Sequence, residues 1–175
     1  MAFVNSVLSK AHAWGQQLFV AKLDIQRMFA SVNYNFLFEC LLFFGIPFPW
    51  AQAFMHQVKG NVLELSTLTR EQVHIFMQQG VLEGSPTSII AVAVILTRLL
   101  QQLKSHPMYS SSAASLESDS IQPGVTLHPL GWLDDWLFFA SDLDSPGSLL
   151  SIWAGLCEKA NWKLHLGQDG ASFKQ

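Results

Sequence analysis

Three aspartates are the residues best placed to do chemistry in this chain. Asp24 follows directly on the compact apolar run 18–23, and Asp134 and Asp135 stand side by side between two further apolar runs, 125–133 and 136–140. Carboxylates set in so apolar a sequence are costly unless something neutralises them. A hard divalent cation does this well, since Mg²⁺ prefers carboxylate oxygen and water to nitrogen or sulfur, and Mn²⁺ accepts the same donors. If the runs are neighbouring strands, the three acids converge. Two ions about 4 Å apart there would activate an attacking hydroxyl and stabilise a leaving pyrophosphate. The competing account is a plain turn, because Asp favours turn geometry. Asp142 and Asp144, in the polar stretch 141–147, read as turn residues in that way.

The elements that must position these acids follow from periodicity. Residues 2–16 predict a helix with Phe3, Val7, Leu8 and Ala11 on one side, and 18–23 predicts a buried strand ending at Asp24. From Asn33, helical spacing places Phe36, Leu37, Cys40, Leu41 and Phe44 on one face until Gly45 and Pro47 stop it. A second short helix is expected over 49–59, strands over 61–65 and 73–77, a loop over 80–86 and a long apolar helix over 87–103. The Ser-rich segment 105–124 reads as a flexible loop too polar to pack. Strands 125–133 and 136–140 form a tight hairpin around Asp134-Asp135, followed by a helix over 149–160 and a strand over 162–166. Strands and helices so interleaved predict an α/β or α+β fold with helices packed on one face of an antiparallel sheet, in one domain over 1–175.

Of 175 residues, 50% are hydrophobic and only 13% charged, against about 25% charged in typical globular chains. The most apolar run, 89–96, is far short of the ~20 residues that span a bilayer. The first residues lack a secretory signal's apolar core and cleavage site. The expectation is an intracellular, non-membrane protein whose apolar faces are covered by missing segments or a partner. The net charge of −3 offers no basic arm for a phosphate backbone. The two cysteines, Cys40 and Cys157, form no disulfide framework or zinc spacing, and the six histidines are isolated from one another.

The order of the motifs resembles that of reverse transcriptases, particularly the non-LTR retrotransposon and group II intron types. Leu23 to Val32 is similar to motif A, an Asp followed by the aromatic Phe29. Gly45-Ile46-Pro47 resembles the punctuation after it. Gln79 to Ser88 resembles motif B, Trp132-Leu133-Asp134-Asp135 motif C, and Asn161 to Leu166, faintly, motif D. The resemblance implies a polymerase palm performing RNA-templated DNA synthesis, with an RNA template, a DNA primer and dNTPs as partners. It implies that Asp24 and Asp134 ligate two Mg²⁺ ions, with Asp135 the less direct third carboxylate. Phe29 would lie under the incoming sugar and block a 2′-hydroxyl; the alternative is a core aromatic. Gly84, Ser85 and Pro86 would bring backbone close to the nucleotide, since glycine leaves room. Arg27 would lie beside the triphosphate, or is simply an exposed strand-end cation.

The chain departs from the family at several positions. Glu83 stands where Gln is usual, Ala30 where Asp is frequent, Trp132 where Tyr or Phe is common, and Gln168 about where a lysine is expected, with Lys163 and Lys174 out of register. Few residues precede motif A or follow motif D, so fingers and thumb are expected to be largely missing and the chain alone to polymerise poorly. The alternative function is a catalytically inactive retroelement remnant keeping the palm fold or an interaction role. No endonuclease or RNase H signature is visible.

Overall fold

The computed structural model describes residues 2–59, 62–66, 72–116, 125–140 and 144–166. In chain order the first half holds α1 (Ala2–Ala13), β1 (Phe19–Gln26), α2 (Tyr34–Phe43), α3 (Phe48–Lys59), β2 (Val62–Ser66), β3 (Gln72–Phe76) and α4 (Pro86–Lys104). There follow α5 (Tyr109–Ser112), β4 (Ser115–Leu116), β5 (Val125–Thr126), β6 (Leu130–Trp132), β7 (Asp135–Ala140), α6 (Asp144–Lys159) and β8 (Lys163–Leu166). The chain divides into two compact units.

The first unit takes 1–24, 102–155 and the residues from 164 onward. Its sheet has the order β6-β7-β1-β8, with β6–β7 and β7–β1 antiparallel. Side chains alternate across a strand, so β7 sends Trp136 and Phe138 to one face and Leu137 and Phe139 to the other. Trp153 of α6 fills the first face, its ring 4.9 Å from that of Trp136 and 5.7 Å from that of Phe138. On the second face Phe139 clusters with Val7 and Ala11 of α1 and with Ala114, Leu116 and Leu127. The expected helix layer is therefore met by α6, and α1 with the β4–β5 pair adds cover on the other side.

The second unit takes 25–101 and 156–163. Asn33 caps α2, its Oδ1 accepting from the backbone N–H of Asn35 at 2.9 Å and of Phe36 at 3.2 Å. Helix α2 buries Leu37, Cys40 and Leu41, and α3 buries Ala51, Met55 and Val58. The two helices meet through Phe38 and Phe48, edge to face at 5.6 Å. Gly45 ends the first helical segment at φ +78, where Ile46 N–H donates to the Leu41 carbonyl. In α4, Ala91, Val92, Ile95 and Leu99 are fully buried.

Several expectations need correction. The segment 105–124 is not loop throughout: α5 and β4 occupy part of it, and Tyr109, Ala113, Ala114 and Leu116 are buried. Its remainder, 117–124, lies outside the described residues. The strand expected over 125–133 is two, β5 and β6, with Pro129 between them lacking the N–H a ladder needs. Asp24 lies within β1, not at its end. Asp144 opens α6, and Asp142 lies outside the described residues. Helix α4, at 19 residues, is by length and composition long and apolar enough to cross a membrane, beyond the short run 89–96. Ala91, Val92, Ile95 and Leu99 form a buried stripe along it, while Ile89 and Ile90 are exposed.

Candidate active site

The β6–β7 hairpin carries the acidic pair on the shortest loop available. Trp132 and Asp135 face each other in the ladder, leaving Leu133 and Asp134 as a two-residue turn. Leu133 sits at φ +54, in the left-handed region that L-residues rarely occupy. Its carbonyl accepts a 2.7 Å hydrogen bond from the indole N–H of Trp136, which fixes the turn to the strand behind it. Gly131 pairs with Trp136 across the hairpin, and a Cβ there would fall inside the indole ring.

Register then places the acids. Asp24 of β1 is directly opposite Asp135 of β7, so the two project from one face of the sheet. Leu23 and Trp136, the next opposed pair, go to the other face and are buried. Like charges directly opposed across two strands are destabilising, and the nearest compensation is on the same face: Lys22 Nζ lies 3.2 Å from Asp135 Oδ1. Those side chains are 70% and 62% exposed, so the ion pair is of the surface kind, worth about 0–1 kcal/mol. Asp24 is half-buried and Asp134, in the turn, is exposed. The donors are oxygen only, which suits a hard divalent cation. Among the described residues no three His, Cys, Asp or Glu side chains gather to hold a metal. The arrangement is a facing pair, Asp24 and Asp135, with Asp134 at the tip. The sequence reading ranks Asp134 above Asp135; the register puts Asp135 across from Asp24.

The other residues named by the sequence reading, Arg27, Phe29, Gly84, Ser85 and Pro86, belong to the second unit. Arg27, exposed and at φ +48, starts the turn that leaves β1, closed by Ser31 N–H donating to the Arg27 carbonyl at 3.0 Å. Within that turn Phe29 is half-buried, and its carbonyl accepts from Val81 N–H at 2.7 Å. Gly80 N–H donates to Val32 O, and Tyr34 Oη donates to Gly80 O at 2.7 Å. Burial raises the Tyr34 hydroxyl above its usual range, so it stays a donor. Gly80, at φ +83, lies so close to Ala30 that a Cβ would overlap the Ala30 carbonyl. The segment carrying Phe29 is thus joined to the start of the glycine loop. That loop closes through Ser85 N–H to Leu82 O, with Gly84 at φ +88 in the third position of the turn. Space beside Gly84 is open, so the turn itself calls for the glycine. Ser85 Oγ hydrogen-bonds Thr87 Oγ1, and Pro86 opens α4, where its missing N–H costs nothing.

Sequence reasoning missed four supports. Lys22 gave no signal, because its partner is known only from strand register. Gly131, a glycine within a strand, signals close backbone approach. Asn161, at φ +63, donates from Nδ2 to the Ser31 carbonyl and to Gln79 Oε1, and Trp162 Nε1 donates to Met28 O at 2.9 Å. Together they brace the Arg27–Ser31 turn. Gln168 and Lys174 lie outside the described residues.

An antiparallel sheet with an acidic hairpin beside an acid-bearing strand is the polymerase-palm type of fold. The family described as reverse transcriptase (RNA-dependent DNA polymerase) matches residues 4–167, and the chain belongs to it. Among solved structures it is similar to apo telomerase from Candida tropicalis truncated from its C-terminal domain, with TM-score 0.64 and 14% identity over 99% of this chain and 36% of that one. It is similar also to telomerase from Candida tropicalis in complex with a TWJ fragment of telomeric RNA, at TM-score 0.66 and 13% identity over 99% of this chain and 30% of that one. The corresponding Candida albicans complex gives TM-score 0.65 and 12% identity over 93% of this chain and 30% of that one. At such identities the likeness is one of fold, and the chain spans about a third of the length of these telomerases. Among curated proteins nothing matches.

Proposed function

We propose that this chain carries the catalytic palm of an RNA-directed DNA polymerase, acting by metal-assisted nucleotidyl transfer. The observation that carries the reading is the opposition of Asp24 and Asp135 on one sheet face, inside a family match that runs through nearly the whole chain. Asp24, Asp134 and Asp135 would together hold Mg²⁺, or Mn²⁺. The bound ions would lower the pKa of an attacking hydroxyl and offset charge on a leaving pyrophosphate. Phe29 excludes a 2′-hydroxyl, and Arg27, Gly84, Ser85 and Pro86 contact the nucleotide. RNA template, DNA primer and dNTPs are the partners this chemistry needs. Both units form one reverse-transcriptase domain, since the family match runs across both. The order of the motifs favours a non-LTR retrotransposon or group II intron type, and the free, buried thiols of Cys40 and Cys157 favour a reducing, intracellular setting.

The test is Mn²⁺ binding followed by electron paramagnetic resonance, paired with primer extension on an RNA template. Asp24→Asn and Asp135→Asn are each expected to weaken Mn²⁺ binding by about tenfold or more, as loss of a charged oxygen ligand should. Undiminished binding in both variants would sink the reading. A second reading, an inactive remnant that keeps the palm fold, is favoured by the exposed Glu83 and by the Lys22–Asp135 contact. It predicts no extension even when the chain is supplied with fingers and thumb sequence from a relative.

A further inference from the structure

Lys22 stands on the same sheet face as the acids, two positions before Asp24 on β1 and diagonally across from Asp135, which it contacts at 3.2 Å. Diagonal neighbours on an antiparallel pair are within reach of long side chains. Two carboxylates opposed across a ladder repel each other, so a cation at this spot relieves the strand pairing, whether it is an ammonium or a metal ion. Nζ and a divalent ion would compete for the same Asp135 carboxylate, whose Oδ1 the ammonium contacts. We propose that Lys22 is a built-in counter-ion of the carboxylate pair: it holds Asp135 when no metal is bound, and it must leave Asp135 when a divalent cation arrives. This rests on the metal-binding reading above. Because both partners are more than half exposed, the contact is weak enough to be displaced and the lysine has solvent to move into. Lys22 is therefore a positioning residue that sets how much metal the site demands.

The experiment uses the full 175-residue chain and Mn²⁺ alone as probe. Mn²⁺ affinity is measured for wild type, Lys22→Met, Lys22→Arg and Asp24→Asn, at low and at high salt. Removing the competitor should tighten Mn²⁺ binding about two- to fivefold in Lys22→Met, the range a surface ion pair supports. Lys22→Arg should stay near wild type. The gap between wild type and Lys22→Met should narrow at high salt, where exposed charges are screened. A metal-free melt supplies a second measurement: Lys22→Met should melt below wild type, and the double variant Lys22→Met/Asp135→Asn should recover the loss. Wild-type Mn²⁺ binding that Asp24→Asn abolishes but Lys22→Met leaves unchanged would overturn the counter-ion while leaving the metal site standing. Absence of Mn²⁺ binding in both wild type and Lys22→Met would overturn both.

Discussion

Leu133 is held at φ +54 at the tip of a two-residue turn, where the left-handed backbone costs an L-residue about 1–2 kcal/mol. Glycine there removes the clash and returns part of the gain as unfolded-state entropy. Leu133→Gly is expected to stabilise the chain by about 0.5–1 kcal/mol in urea unfolding; a loss would show that the leucine side chain matters more than its backbone. Strain of this kind, beside candidate reactive groups, is typical of functional turns. The cysteines give a pH-dependent expectation. Burial pushes the Cys157 thiol up to about 12 and the Cys40 thiol to about 11, from 9.0. With the folded values raised, the neutral thiols contribute stability fully below pH 9. That contribution falls as pH rises from 9 toward 11 and 12. Serine at both positions should flatten that alkaline decline in urea midpoints, and native wild-type protein should react slowly with thiol reagents at pH 8.

At the scale of elements, the hairpin and the capped helix make separable claims. Gly131→Ala forces a methyl into the Trp136 indole and should cost about 1–3 kcal/mol, as overpacking does. Asn33→Ala removes the cap of α2 and should cost about 1 kcal/mol, read in the same unfolding assay. If Gly131→Ala unfolds like wild type, the cross-strand contact is looser than its geometry. The helices were legible because their apolar spacing and stops are local: Asn33, Gly45 and Pro47 mark boundaries by their own chemistry. The segment 105–116 was misread because its serines dominate the composition, while Tyr109, Ala113, Ala114 and Leu116 are enough to bury it. The Lys22–Asp135 pair was illegible, since residues so distant in sequence meet only once β1 and β7 are in register.

For the whole molecule, motif order carried the family, and the match over 4–167 bears it out. What motif order could not supply was which carboxylate faces which, because that depends on ladder parity. Reverse transcription itself is tested by RNA-templated primer extension with dNTPs and with rNTPs, on the chain supplied with fingers and thumb sequence from a relative. Phe29→Ala should raise ribonucleotide incorporation relative to deoxynucleotide by about tenfold or more, the scale at which a removed steric block discriminates. An unchanged ratio would return Phe29 to the role of a core aromatic.

The face-to-face register of Asp24 and Asp135 also restricts which length changes the gene could survive. Strand side chains alternate with a period of two, so a shift of one residue turns every side chain to the opposite face. A single codon gained or lost between Asp135 and Phe139 would send either the acid or the aromatic anchor to the wrong side of the sheet. A change of two codons would keep both facing as they do. Functional descendants of this chain should therefore show β7 conserved in parity even where its residues have drifted.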